Sequence, residues 1–253
     1  MPTVLVINPN TSTEMSGGIE VMARQVFEPP WNCRVVQAWA GPESLESWRD
    51  YQLAGAAVLP LLQEHADADG VVLACFGDPG LYALKEVAQV PVVGIAEAAI
   101  SLSLLLGGKF GILAAMPRAV GLMDAMVRGY GLEARYAGTV PLDMRVLSLE
   151  LDHTATLNLL EQRAAVLIEN GADVMILGCA GLTGFIGELR QRVPLAIIEP
   201  VGAACRMLKA IVEAGLNTSH GGVYHRPAPQ RMHGLERQFS PEMINYLKSW
   251  ETE

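Results

Sequence analysis

The sequence lacks an apolar run long enough to cross a membrane. Its densest apolar stretch, residues 98–106, is interrupted by Ser101 and Ser103 and closed by Gly107 and Gly108, well short of the roughly 20 residues that a span requires. The first residues carry neither the basic nor the long apolar segment of a secretory signal. We therefore expect no membrane partner and a cytoplasmic location.

Positive charge and metal-binding patterns are also scarce. Lys and Arg number 18 against 27 acidic residues, for a formal net charge of −9, whereas proteins that bind nucleic acid usually carry a basic surface. The four cysteines include no C-x-x-C pair, and the five histidines show no metal-ligand spacing. We expect no nucleic-acid partner, no disulfide framework and no metal site.

Short apolar runs rich in β-branched residues alternate with longer helical patterns along the chain. This alternation is typical of βαβ units around a parallel sheet, so the sequence predicts an α/β fold. We expect strands at residues 4–8, 34–38, 70–74, 92–94, 110–114, 174–177 and 195–198, and helices at residues 13–27, 48–64, 81–87, 96–106, 118–128, 154–170 and 201–213.

An internal repeat is the most informative feature. Residues 69–99 and 173–204 each contain a strand, a cysteine, a glycine-containing loop, a helix, a Val-Pro pair and a second strand ending near a glutamate. The equivalent cysteines are Cys75 and Cys179, and the equivalent glutamates are Glu97 and Glu199. A position at a helix amino terminus is a sufficient explanation for the glutamates. Two copies of one βαβ module are the simplest explanation of the repeat.

The duplication predicts two similar doubly wound parallel-sheet half-domains that face each other across a cleft. We expect residues 1–98 and 202–253 in the first half-domain and residues 99–201 in the second. Ligands of open parallel sheets bind outside the carboxyl ends of the strands, and both Cys75 and Cys179 lie where a strand ends. If the halves face each other, the two thiols line one cleft.

Two thiols on opposite sides of a substrate suit proton exchange with inversion. One thiolate removes a proton from an acidic carbon, and the other thiol delivers one to the opposite face. An unperturbed thiol pKa of about 8.5 makes both protonation states accessible near neutrality. Backbone N–H groups of the glycine-containing loops can hold the oxyanion that forms. The alternative, that both cysteines merely pack in the core as most free cysteines do, stays open on spacing alone.

Four motifs occur in order along nearly the whole chain. They are residues 8–12 (NPNTS), residues 74–81 (ACFGDPGL), residues 91–99 (PVVGIAEAA) and residues 177–181 (LGCAG). Together they resemble the hydantoin racemase branch of the aspartate/glutamate racemase superfamily. The resemblance implies a cofactor-independent racemase of 5-substituted hydantoins, allantoin included, whose partner is a small-molecule substrate and which forms a homo-oligomer.

The resemblance also implies roles for particular residues. It makes Cys75 and Cys179 the acid/base pair, and Asn8 a residue that helps to seat the substrate. The loop positions whose backbone meets the ring carbonyls in the family are Phe76, Gly77, Ala180 and Gly181.

Two departures from related patterns bear on the substrate. Amino-acid racemases of the superfamily carry Asn-Thr after the first cysteine and Thr-His after the second, so a free amino acid is a poor candidate here. The hydantoin branch has two threonines where this chain has Ala114 and Ala115, which favours a more apolar ring substituent.

Two alternative functions stay open. A cysteine-dependent decarboxylase or cis-trans isomerase of the same superfamily would keep the thiols and change the reaction, although decarboxylation needs only one proton-donating cysteine. A non-catalytic ligand-binding or thiol redox-sensing protein would use the same cleft without turnover.

Overall fold

The computed structural model describes residues 1–149, 151–228, 241 and 244. Over this part the chain forms two four-stranded parallel sheets with helices around them. The prediction of an α/β fold with two similar half-domains is confirmed. Beyond residue 228, the carboxyl-terminal segment that we assigned to the first half-domain lies outside the described residues, apart from Pro241 and Ile244.

The first sheet contains two buried central strands, β1 (Thr3–Asn8) and β3 (Gly70–Leu73), between β2 (Asn32–Gln37) and β4 (Val92–Gly94). The order is β2-β1-β3-β4. Continuous burial of β1 and β3 fits a parallel sheet that helices cover on both faces. The helices of this half are α1 (Thr13–Val26), α2 (Trp48–Glu64), α3 (Leu81–Val87) and α4 (Ile95–Ser103).

The second sheet repeats this order. Its strands are β5 (Phe110–Ala114), β6 (Tyr136–Pro141), β7 (Val174–Leu177) and β8 (Ala196–Ile198), arranged β6-β5-β7-β8. The helices that follow are α5 (Pro117–Gly129), α6 (His153–Glu169), α7 (Ile186–Arg192) and α8 (Pro200–Glu213), and short 3-10 segments cover Glu133–Arg135, Val146–Ser148 and Ala180–Phe185. Each strand of the first half thus has a counterpart in the second.

Side-chain caps fix where several helices begin. The Ser12 hydroxyl accepts a hydrogen bond from the Met15 N–H at 3.2 Å, and the Ser47 hydroxyl accepts one from the Asp50 N–H at 3.2 Å. Each cap satisfies a backbone donor that the first helical turn leaves unpaired.

Among the described residues, no helix is long and apolar enough to cross a membrane.

The largest hydrophobic core lies between the two sheets. It joins side chains of β1, β3, β5 and β7 to those of α1, α4, α5 and α8. Helix α8 follows the second sheet in the chain, yet it packs against β3, β4, α1 and α4. The domain boundaries near residues 98 and 201 stay a prediction, because this shared core extends across them.

Candidate active site

Two cysteines meet at the interface of the half-domains. Cys75 follows β3 and Cys179 follows β7, at equivalent ends of the two sheets. Both are partly exposed, and both line one cavity of about 40 Å³, enough for a few water molecules. The structure therefore brings together the two thiols that the repeat singled out, and gives each a face toward shared space.

The cavity is mostly apolar and continues into a larger cleft. Its apolar wall includes Phe76, Met116 and Met123. Met15 and Val146 line both the cavity and an adjoining cleft of about 420 Å³ between α1 and the 3-10 segment Ala180–Phe185. A small ring bound between the thiols thus has a larger space beside it, lined by apolar side chains and by the polar side chains of Ser12, Glu14, Gln25 and Thr183.

Cys75 is a thiol near neutral pH. Burial raises its pKa most, nearby Cys179 and Asp78 raise it further, and a hydrogen bond with Tyr51 lowers it. The thiol lies 3.8 Å from the Phe76 carbonyl oxygen, which also accepts the Tyr51 hydroxyl at 2.5 Å. The Cys75 sulfur is therefore held between its own loop and the start of α2.

Cys179 sits just before the 3-10 segment Ala180–Phe185. Burial raises its pKa to about 11, the backbone N–H of Gly181 lowers it, and the negative charge of Glu46 raises it. The Gly181 N–H is thus the group that favours the Cys179 thiolate, because a hydrogen bond to the charged form stabilises that form.

Asp78 ties the Cys75 loop to the amino terminus of α4. Its carboxylate accepts hydrogen bonds from the Ala96 N–H at 3.0 Å and the Glu97 N–H at 2.8 Å. Burial raises the pKa of Asp78 to about 7. Gly94 makes room for this contact, since a Cβ there would lie 2.3 Å from the Asp78 carboxyl carbon.

In the second half-domain, Glu199 and Thr183 connect the segment after Cys179 to the start of α8, as Asp78 connects the Cys75 loop to α4 in the first. The buried Glu199 carboxylate accepts hydrogen bonds from the N–H groups of Val201 at 2.8 Å and Gly202 at 2.6 Å, at the start of α8. The Thr183 hydroxyl, in the 3-10 segment after Cys179, lies 2.9 Å from the same carboxylate. Both halves thus anchor the cysteine loop at the start of the helix that leads away from the last strand.

The loop residues that the sequence singled out lie at different depths. Phe76 and Ala180 line the cavity, and Gly181 lines the adjoining cleft. Gly77 has a φ of +104°, and a Cβ there would lie 2.5 Å from the Tyr51 ring, so only glycine fits. Contacts of these four loop residues with a substrate stay a prediction.

Asn8 is buried beneath the cavity. Its amide nitrogen donates to Asn10 Oδ1 and Ser16 Oγ, both at 2.9 Å. Asn10, two residues later, lines the cavity itself. The structure thus places Asn8 as a support for Asn10, and substrate contact by Asn8 stays a prediction.

Sequence reasoning missed Glu46 and Tyr51, which both line the cavity. They belong to the start of α2 and the loop before it, in a stretch without any catalytic motif. The one local signal is the helix cap at Ser47, which marks a helix start without indicating what the helix contacts.

Among the described residues, no group of three or more His, Cys, Asp or Glu side chains is placed to hold a metal ion.

Comparison with known proteins shows the family of this chain. Residues 4–208 fit the family model described as Asp/Glu/Hydantoin racemase. The chain belongs to this family. The hydantoin racemase of Paenarthrobacter aurescens is 35% identical over 235 residues, which cover 90% of this chain and 98% of that protein. The hydantoin racemase of Pseudomonas sp. (strain NS671) is 33% identical over 239 residues, 93% of this chain and 96% of that protein.

A solved structure gives the same result. The allantoin racemase from Klebsiella pneumoniae has a TM-score of 0.88 and 33% identity, and the match covers 95% of this chain and all of that one (100%). The family resemblance and the isomerase class, a racemase, are confirmed by these similarities.

Proposed function

We propose that this member of the family is a racemase of 5-substituted hydantoins that exchanges the proton at ring carbon C5 and needs no metal or organic cofactor. One observation carries the proposal: Cys75 and Cys179, from equivalent strand ends of the two half-domains, line one small cavity. The similarity to hydantoin and allantoin racemases supports the substrate class.

One cysteine removes a proton from the substrate and the other returns one, so the substrate neither gains nor loses a proton overall. One cysteine thiolate takes the C5 proton, so the C5–H bond breaks, an S–H bond forms, and the electron pair moves onto the adjacent ring carbonyl oxygen. The other thiol then gives its proton to the opposite face of C5 and becomes the thiolate. The product is the other enantiomer, and exchanging the roles of Cys75 and Cys179 runs the reaction backwards.

Backbone groups stabilise the negative charge that forms on the ring oxygen. We assign this role to the N–H groups of Phe76, Gly77, Ala180 and Gly181, with Asn8 acting through Asn10. Preorganised N–H donors in an apolar cavity are effective because water does not compete for the oxyanion. The apolar lining of this cavity supports the assignment.

Two further proposals concern the protein as a whole. We propose a cytoplasmic location, because a reducing compartment keeps Cys75 and Cys179 as free thiols. We also propose that the chain forms a homo-oligomer, as the family resemblance implies.

Deuterium exchange tests the proposed reaction. Single enantiomers of several 5-substituted hydantoins are incubated with the protein in deuterium oxide and followed by polarimetry and mass spectrometry. We expect racemisation with one solvent deuterium at C5. Cys75→Ser and Cys179→Ser should each abolish racemisation, because each removes one of the two proton carriers.

The matched control is Cys33→Ser, since Cys33 is buried in β2 and does not line the cavity. Racemisation should persist in this variant. Hydantoins left optically unchanged, together with carbon dioxide release from a malonate, would establish the decarboxylase alternative. Ligand binding that responds to thiol oxidation, without turnover of the reduced protein, would establish the redox-sensing alternative.

A further inference from the structure

We propose that Glu46 is a specificity-determining residue whose carboxylate accepts a hydrogen bond from a ring N–H of the hydantoin. This inference rests on the proposed function and deepens it, because it identifies the side chain that binds an N–H group of the ring. Glu46 precedes α2 in the first half-domain and lines the cavity beside the cysteines.

The polar side chains of the cavity divide into donors and acceptors. Among the described residues, the polar side chains that line it, apart from the thiols, are Asn10, Glu46 and Tyr51. The Tyr51 hydroxyl already donates to the Phe76 carbonyl at 2.5 Å. Asn10 Oδ1 accepts hydrogen bonds from the Asn8 side-chain amide and the Ser12 N–H, at 2.9 Å each. The Asn10 amide nitrogen donates one hydrogen to Met15 Sδ at 3.0 Å and keeps a second N–H to donate to a ligand. Glu46 is then the side chain with the most acceptor capacity to offer, because a carboxylate has about four acceptor sites and the Tyr51 hydroxyl fewer.

The Glu46 carboxylate is oriented without being saturated. Its Oε1 atom lies 3.0 Å from the Ser44 hydroxyl, which donates to it, and 3.4 Å from the Val146 backbone nitrogen of the second half-domain. An ionised carboxylate has about four acceptor sites. These two contacts fix the side chain across the cleft and leave sites for a ligand.

A hydantoin ring presents what this arrangement recognises. It carries two N–H donors that alternate with two carbonyl acceptors, so a carboxylate on one side and an amide donor on the other match its edge. Glu46 lines the same cavity as Cys179, whose pKa its negative charge raises, so the proposal places the carboxylate beside the ring whose C5 proton is exchanged. The same charge repels substrates that carry a carboxylate, such as amino acids and malonates, and so discriminates against the related reactions.

Binding of unsubstituted hydantoin tests the contact separately from racemisation. Its affinity, and that of 1-methylhydantoin and 3-methylhydantoin, is measured by calorimetry for the wild type, Glu46→Ala and Glu46→Gln. We expect Glu46→Ala to weaken hydantoin binding by about 10- to 100-fold, as for loss of a hydrogen bond to a charged group. Glu46→Gln keeps an acceptor oxygen, so its affinity for hydantoin should lie between those of the wild type and Glu46→Ala.

The methylated rings separate recognition from a merely structural role. Methylation of the nitrogen that faces Glu46 should weaken binding to the wild type strongly and have little further effect in Glu46→Ala, since the partner is already gone. Methylation of the other nitrogen should act equally on both proteins. Glu43→Ala, which removes an exposed glutamate three residues earlier in the same loop, is the matched control and should behave as the wild type.

Two results overturn the inference. If the wild type binds hydantoin and exchanges its C5 proton while Glu46→Ala has the same affinity, or the same response to both methylations, Glu46 does not read the ring and the proposed function stands. If the wild type neither binds hydantoin nor exchanges its C5 proton, the proposed function fails and the role of Glu46 fails with it.

Discussion

Burial raises the pKa of both cavity cysteines, to about 11 for Cys179 and further for Cys75. Near neutrality each is a neutral thiol, so the base of the proposed reaction is a minor species. The two groups also disfavour each other's charge, because the neighbouring Cys179 raises the pKa of Cys75. One thiolate and one thiol is therefore the productive state, and Cys179, with the Gly181 N–H beside it, ionises first.

The rate should follow that ionisation. Below its pKa of about 11, the thiolate fraction of Cys179 grows tenfold per pH unit. We therefore expect kcat/KM for the enantiomer that uses Cys179 as base to rise about tenfold per unit from about pH 7 to about pH 10. Initial rates of each enantiomer measure this, with ionisation of the substrate's ring N–H determined separately. A profile that is flat over this interval would contradict the assignment of Cys179 as base.

At the scale of secondary structure elements, the sequence predicts the buried strands well and one edge strand not at all. Strands β1, β3, β5 and β7 are short apolar runs that are buried on both faces, and they appear where predicted. Strand β6, Tyr136–Pro141, was not predicted, because an edge strand that is mostly half-buried shows no continuous apolar run. The internal repeat could have indicated β6, because a duplicated fold requires a counterpart of β2 in the second half.

The candidate site divides in the same way. Cys75 and Cys179 were predictable because each follows a recognisable buried strand within the repeat. Glu46 and Tyr51 were not, because their approach to the cavity depends on two long-range contacts. The Tyr51 hydroxyl donates to the Phe76 carbonyl in the Cys75 loop, and the Glu46 carboxylate accepts from the Val146 N–H, 100 residues away. Sequence patterns report local periodicity, and such long-range contacts leave no trace in them.

The link between the Cys75 loop and α4 gives a prediction at this scale. Asp78→Ala removes the two hydrogen bonds to the Ala96 and Glu97 N–H groups and leaves buried donors unpaired. We expect the free energy of unfolding to fall by about 1–3 kcal/mol. We also expect kcat to fall, because the loop that positions Cys75 loses its anchor. Urea unfolding and initial rates measure the two effects.

Asp173→Ala is the matched control for this prediction. The Asp173 carboxylate also accepts hydrogen bonds from two backbone N–H groups, those of Gly108 at 2.7 Å and Lys109 at 3.1 Å, but it is exposed and lies before β7, at the opposite end of that strand from Cys179. Water replaces its contacts, so its loss should cost less stability and leave kcat unchanged. Equal effects of the two variants would show that Asp78 has no special relation to Cys75.

At the scale of the whole molecule, the duplicated sheets create one cavity with a cleft on either side of it, the larger beside α1 and a smaller one of about 280 Å³ beside α5. The adjoining cleft of about 420 Å³ is lined by Met15, Met22 and Val21 on the α1 side, and by Val146 and Leu147 of the second half. The proposed reaction needs only the ring between the thiols. The C5 substituent therefore has to leave the cavity, and Met15 and Val146, common to both spaces, mark the apolar route.

This route predicts a preference among substrates. We expect kcat/KM for hydantoins with a 2-methylpropyl or benzyl group at C5 to exceed that for allantoin, whose ureido group would lose hydration beside Met15 and Val146, since their apolar side chains donate no hydrogen bond to it. Leu147→Ala should lower kcat/KM for the apolar substrates by about tenfold and leave that for allantoin nearly unchanged, since it removes apolar contact area. The control is Leu105→Ala, at a leucine that is 80% exposed. A faster reaction with allantoin, or equal effects of Leu147→Ala on both classes, would mean that the substituent takes another path.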